Sequence, residues 1–283
     1  MNTNELKTII EKNQKVTKEN LENILIPFLK KLPVPEVTVN NHTFIERAIN
    51  IDKSQEPSEL SRLSYIPDKI KYLAKQGRFN KESESVFYGA FTDLDEPEIT
   101  RYFLACEIEQ DLLEKYNCKF KFITSKWITI DSFTAVLFIF DEKFCGNSLT
   151  KEAYNGFQND KIYQSLTDTE KELLKLITFE LGKPKPVNGY LISNILFDFY
   201  KEKGYKAIVY PGVQSHYKGN NIAILPEYVD KYLSFYMGAE FELDKVGKKI
   251  NIDNKYGIKL KDDKLEYFKF KPEELGENNN YPA

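Results

Sequence analysis

Between residues 167 and 225 the chain spells out two helices and then two strands, and this order constrains the fold more than any other feature. Thr167-Asp168 offers a helix cap, Leu173, Leu174, Ile177 and Leu181 recur at helical spacing, and Gly182 and Pro184 close the segment. A second helix is predicted over 190–203, with Ile192, Ile195, Leu196 and Phe199 on one face and Gly204 beyond its end. Residues 205–210 then read as a strand ended by Pro211-Gly212, and residues 221–225 as another. Apolar helix stripes followed by apolar strands describe layers of helix on sheet.

The rest of the chain fits the same class. Residues 5–31 carry Leu6, Ile9, Ile10, Leu21, Ile24, Leu25, Phe28 and Leu29 at helical spacing, which predicts two short helices stopped by Pro33 and Pro35. They are either an extra layer on the core or a partner-binding appendage. Strands are predicted at 43–49, 85–91, 120–123, 127–130 and 135–140, with polar, turn-rich chain over 52–76 and a connecting segment over 147–158. A helix starts at Pro97-Glu98, while residues 102–116 read equally as helix or strand. The chain closes with a hairpin (257–260 with 265–270) and a frayed tail over 277–283. The expected fold is one α+β domain with appendages.

Composition removes several function classes. A net charge of −3 argues against broad electrostatic binding of nucleic acid, leaving room only for a local basic pocket. His42 and His216 are the only histidines, so neither a His-rich metal centre nor a His-dependent hydrolase is expected. Cys106, Cys118 and Cys145 are too few and too irregular for a zinc site or a disulfide framework, so no metal is expected. The polar N-terminus and the lack of an apolar run near ~20 residues point to a cytoplasmic protein with no membrane partner. The 20 Phe and 18 Tyr serve cores and pockets alike.

Three residues on consecutive elements stand out: Arg78 in the turn Gly77-Arg78-Phe79-Asn80, Tyr88 on the following strand, and Glu98 in a helix's first turn. Singly, each has an ordinary explanation: an ion-pairing arginine, a core tyrosine, and a carboxylate that suits a helix N-terminus. No GxGxxG or GxxxxGK[ST] is present, so a Rossmann or P-loop site is not supported.

Their order, however, resembles the successive motifs of the RES domain family. The matching stretches are Glu46-Arg47-Ala48, Gly77-Arg78-Phe79-Asn80, Phe87-Tyr88-Gly89-Ala90 and Pro97-Glu98-Ile99-Thr100-Arg101. Further on come Tyr190-Leu191-Ile192, Gly204-Tyr205-Lys206-Ala207-Ile208-Val209-Tyr210-Pro211 and Gly219-Asn220-Asn221-Ile222-Ala223-Ile224. The resemblance implies an ADP-ribosyltransferase-like mixed β core with flanking helices, and toxins that degrade NAD⁺ at the nicotinamide–ribose bond. It further implies an antitoxin whose terminal segment occupies the cleft. Domains follow as an N-terminal helical extension (1–42), a RES-like catalytic domain (43–240) and a C-terminal hairpin and tail (241–283).

By the resemblance, Arg78 and Glu98 are the catalytic candidates, joined by Ser215 as a displaced hydroxyl that does not match the family's serine position, and Arg47, Arg78, Tyr88, Tyr210 and Asn221 are the substrate-binding ones. NAD⁺ is substrate, with no cofactor. The family usually has a serine where this chain has Gly212, and Ser215 is the nearest hydroxyl in that loop. The residue types suit the chemistry. Arginine grips a pyrophosphate bidentately, a tyrosine face stacks on a ring, and a carboxylate stabilises positive charge growing on the ribose. The expected function is NAD⁺ glycohydrolysis or phosphorolysis by a toxin or defence effector. The alternatives are ADP-ribosyl transfer to a protein or small acceptor, and non-catalytic binding of a nucleotide or a partner.

Overall fold

The computed structural model describes residues 3–12, 14–51, 56–92, 97–109, 111–183, 186, 188–212, 219–269 and 280–282. The fold is α+β: a large mixed sheet with helices flanking it. Its strands are β1 (Glu36–Val39), β2 (Phe44–Asn50), β3 (Phe87–Phe91), β4 (Asn117–Thr129), β5 (Phe133–Leu137), β6 (Ala207–Pro211) and β7 (Asn220–Ile224). They continue with β8 (Leu233–Val246), β9 (Lys249–Lys261), β10 (Lys264–Phe268) and β11 (Asn280–Pro282). The sheet order is β1-β5-β6-β7-β3-β2-β4-β8-β9-β10, with β11 beside β9. Among the described residues, only β5 and β6 pair in parallel.

β6 and β7 run through the middle, and period-two alternation splits their side chains between two cores. Ile208, Tyr210 and Ala223 face one core, while Ala207, Val209, Ile222 and Ile224 face the other. Strands buried on both faces read as unbroken apolar runs, which is why residues 205–210 and 221–225 are so clear in the sequence. The first core is roofed by α1 (Thr3–Glu11), α2 (Lys18–Leu29), α6 (Asp168–Leu181) and α7 (Leu191–Glu202).

The two N-terminal helices are therefore a layer of the core. Leu6, Leu21, Leu25 and Phe28 are fully enclosed, in one cluster with Leu173, Ile177 and Leu196 of α6 and α7. α6 opens on the predicted cap: Thr167 and Glu170 form a reciprocal capping box. Past α7, Gly204 takes φ +94°, a left-handed conformation that glycine adopts without a Cβ clash.

Several sequence expectations are corrected. Residues 148–158 are not a connector but helix α4 (Ser148–Gln158), capped by Asn147, whose side chain accepts from the Thr150 N–H. Asn155 and Gly156 dilute its helical signal, and packing on β1 and β5 restores it. A short α5 (Lys161–Gln164) follows, and α8 (Pro226–Tyr232) precedes β8. The predicted strands 120–123 and 127–130 are one strand, β4. β1 and β8 were not anticipated, and the predicted hairpin is the tip of the much longer β9 with β10, turned by Asp262 and Asp263 at φ +50° and +60°. Of the tail expected to fray, residues 280–282 pair with β9, and 277–279 and 283 lie outside the described residues. The open stretch after residue 101 is helix as far as Ile108, in α3 (Pro97–Ile108). The expected boundary at 240/241 lies inside β8. No helix among the described residues is long and apolar enough to cross a membrane.

Candidate functional site

Four neighbouring strands and three connections converge on a pocket of about 330 Å³. Its walls include Arg47 from β2, Arg78 from the 77–80 turn, Tyr88 from β3 and Glu107 from α3. Tyr190 at the head of α7, Tyr210 from β6 and Asn221 from β7 complete its polar and aromatic lining. Tyr210 and Asn221 are cross-strand partners, and Asn221 also pairs with Ala90, two residues from Tyr88. Period two then puts Tyr88, Asn221 and Tyr210 on one sheet face. Arg47, Arg78, Tyr88, Tyr210 and Asn221, far apart in sequence, thus share one cavity.

Arg47 is the cation most available to a ligand. One terminal nitrogen, Nη1, donates to the Tyr88 carbonyl at 3.2 Å, and its Nε is buried without a hydrogen-bond partner. The guanidinium lies 5.6 Å from the Phe87 ring centroid. Burial lowers its pKa to about 10, while nearby Tyr88 and Tyr210 act in the opposite direction. No carboxylate of the described residues pairs with it. A half-buried guanidinium whose Nε is buried without a partner, and which has no carboxylate partner among the described residues, is suited to an anion.

Arg78 is more committed. Its two terminal nitrogens donate to the carbonyls of Leu181 and of Lys183, the latter at 3.1 Å, and its guanidinium lies 5.2 Å from the Tyr190 ring centroid. Leu181 ends α6, so Arg78 places positive charge against the negative end of that helix. Tyr88 is committed too. Its hydroxyl accepts from the Phe79 N–H and donates to Asn80 Oδ1, each at 2.8 Å, which fastens the 77–80 turn to β3. The Asn80 amide ties the same turn to the carbonyls of Lys75, Lys81 and Glu84. A Cβ on Gly77 would lie 2.3 Å from Asn80 Oδ1 and 2.9 Å from the Tyr88 hydroxyl, so the turn closes only around glycine. Tyr88 consequently offers the pocket its ring rather than a free hydroxyl. Burial pushes the Tyr88 and Tyr210 hydroxyls up, so both are neutral.

The carboxylate that lines the pocket is Glu107. Glu98 sits in the first turn of α3 and is not among the lining residues. Nine residues separate the two glutamates; at 100° each this is roughly 900°, which puts them on opposite helix faces and about 13.5 Å apart along the axis. Asn221 Nδ2 donates to Glu107 Oε1 at 3.1 Å. Helical phase is the signal that could have found it: Leu104, Glu107 and Ile108 share the pocket-facing side. Tyr190 was likewise visible in the sequence but carried no assigned role there.

Ser215 lies outside the described residues. Gly212 is described and buried, and its N–H donates to the Gly219 carbonyl at 2.9 Å. The neighbouring Cys106 is no ready nucleophile, because burial pushes its thiol up to about 12. Among the described residues no group of three or more His, Cys, Asp or Glu side chains is placed to hold a metal.

Fold and site together define an α+β protein with a compact pocket that, among the described residues, holds two arginines, three tyrosines and one carboxylate. No protein-family model matches the sequence, and no curated protein matches it. Among solved structures, the chain is similar to one described as the crystal structure of the M. tuberculosis MbcT–MbcA toxin–antitoxin complex. Identity there is 11%, over 75% of this chain and 91% of the other, with a TM-score of 0.33. That score carries neither fold nor chemistry across, and the site stands on its own residues.

Proposed function

We propose that the protein cleaves NAD⁺ at the nicotinamide–ribose bond, by hydrolysis or phosphorolysis, and acts as a toxin or defence effector. The observation that carries this reading is the Arg47 guanidinium, with a buried Nε that has no hydrogen-bond partner and no ion pair among the described residues, in the same small pocket as the Glu107 carboxylate. Arg47 takes the pyrophosphate, with Arg78 beside it, and the tyrosine rings take the nicotinamide and ribose faces. The C1′–N bond breaks with its electron pair moving to the nicotinamide nitrogen, which leaves neutral. Positive charge builds on the ribose and is stabilised by Glu107; an oxygen of phosphate, or of water whose released proton passes to Glu107 and on to solvent, forms the new bond at C1′. Glu107 takes the role first expected of Glu98, and Asn221 holds that carboxylate in place rather than touching substrate. The resemblance to the RES family supports the same chemistry, an ADP-ribosyltransferase-like ancestry of the sheet, and a cognate antitoxin that inserts a segment into the cleft.

The test is NAD⁺ loss and nicotinamide release by purified protein, with and without phosphate. Radiolabel left on protein would redirect the reading to ADP-ribosyl transfer. Gly212, which replaces the family's serine, favours a second reading: a pocket that binds the dinucleotide without cleaving it. Binding of ADP-ribose without any nicotinamide release would select it. In cells, expression should lower NAD⁺ and arrest growth, and Glu107→Gln should relieve both.

A further inference from the structure

We infer that the N-terminal helical layer is part of the pocket's support, with Asn188 as the positioning residue that connects them. The connector between α1 and α2 is clasped by the Asn188 amide in both directions: Nδ2 donates to the Gln14 carbonyl at 2.9 Å and Oδ1 accepts from the Val16 N–H at 3.1 Å. Two residues later stands Tyr190, whose ring faces the Arg78 guanidinium in the pocket wall. Between them Gly189 takes φ +57°, a sharp left-handed step that fixes the direction in which Tyr190 leaves the turn. The same layer holds the other end of this connection. α1 packs along α6, and Leu181 at the end of α6 supplies one of the two carbonyls that anchor Arg78.

On the α7 side, the Tyr190 carbonyl accepts from the Asn194 N–H and the Asn194 amide, which also reaches the Gly77 carbonyl at 3.2 Å. The Arg78–Tyr190 wall is thus gripped from the catalytic turn, from α7 and from the N-terminal layer. Asn188 is not among the residues lining the pocket; it acts through the path of residues 188–190. Its loss should loosen ligand binding without altering the bond-breaking step.

The substrate side of this inference rests on the NAD⁺ reading above, so the test has two readouts. In the full chain, Asn188→Ala should raise KM for NAD⁺ about tenfold and leave kcat within about twofold. Hydrogen exchange should accelerate at Val16 and Leu191 together, since both amides depend on this turn. Asn188→Asp keeps the acceptor for Val16 and loses the donor to Gln14, so it should fall between wild type and Asn188→Ala; it also serves if Asn188→Ala does not fold. Lys7→Ala, which breaks an exposed ion pair away from the turn, should leave KM unchanged. Faster exchange at Val16 alone, or a lower thermal midpoint with KM unchanged, would overturn the coupling. If wild-type protein releases no nicotinamide, the NAD⁺ reading fails by itself, and the exchange pattern still decides the role of Asn188.

Discussion

Glu98 and Glu107 show how far a single residue's role depends on helical phase. Both are glutamates of α3, but only Glu107 reaches the pocket and the Asn221 amide. Glu107→Gln should cut nicotinamide release by about 10²–10³-fold, whereas Glu98→Gln should change it by less than about twofold. The two arginines separate in the same way. Folding holds the Arg47 pKa at about 10, below its ordinary value. The charged form is therefore disfavoured by folding; this penalty is fully present at neutral pH and fades as pH rises through about 10. Arg47→Met should then weaken ADP-ribose binding by more than about tenfold while raising the thermal midpoint by about 2–4 °C. Arg78 cannot be removed so cleanly, contrary to what its place in a surface turn suggests. Arg78→Ala strands two carbonyls at the end of α6 and should cost about 1–3 kcal/mol of stability together with binding. Calorimetry of the two variants, with ADP-ribose titrations, separates an anion grip from a structural brace.

At the scale of elements, the 77–80 turn and β3 behave as one unit, sewn together by the Tyr88 hydroxyl. Tyr88→Phe leaves the ring face and removes the acceptor for the buried Phe79 N–H. It should lower stability by about 1–3 kcal/mol with KM for NAD⁺ changed less than about threefold, as seen in denaturant unfolding beside steady-state kinetics. A KM rise beyond that would mean the hydroxyl itself contacts substrate. The turn, β3, α6, α7, β6 and β7 were legible because local signals agreed: glycines at the breaks, a capping box, and apolar spacing of the right period. α4 and β1 were not. Asn155 and Gly156 weaken one, and the other is four residues long; contact with the sheet, which no local window contains, makes up the difference.

Across the whole molecule, the N-terminal helices and the last strands are built into the same body as the residues between them. Leu6, Ile9, Ile10, Leu21, Leu25, Phe28 and Leu29 are all buried in the core that α6 and α7 share. At about 1.5–3 kcal/mol for each fully buried side chain, their sum rivals the whole stability of a domain, about 5–15 kcal/mol. A chain lacking residues 1–31 should therefore lose its cooperative thermal transition; a transition near the wild-type midpoint would show that the extension is dispensable. By itself the sequence determined the α+β class and the paired helices and central strands, because those signals are carried by periodicity; Arg47, Arg78, Tyr88 and Tyr210 were singled out only through the order of motifs that resembles the RES family. Only the tertiary structure decided which glutamate faces the pocket, which arginine keeps a donor free, and that residues 14–16 grip the turn bearing Tyr190. Each of these depends on the direction of a side chain relative to elements distant in sequence, and helical phase and strand register become specific only once the layers are packed.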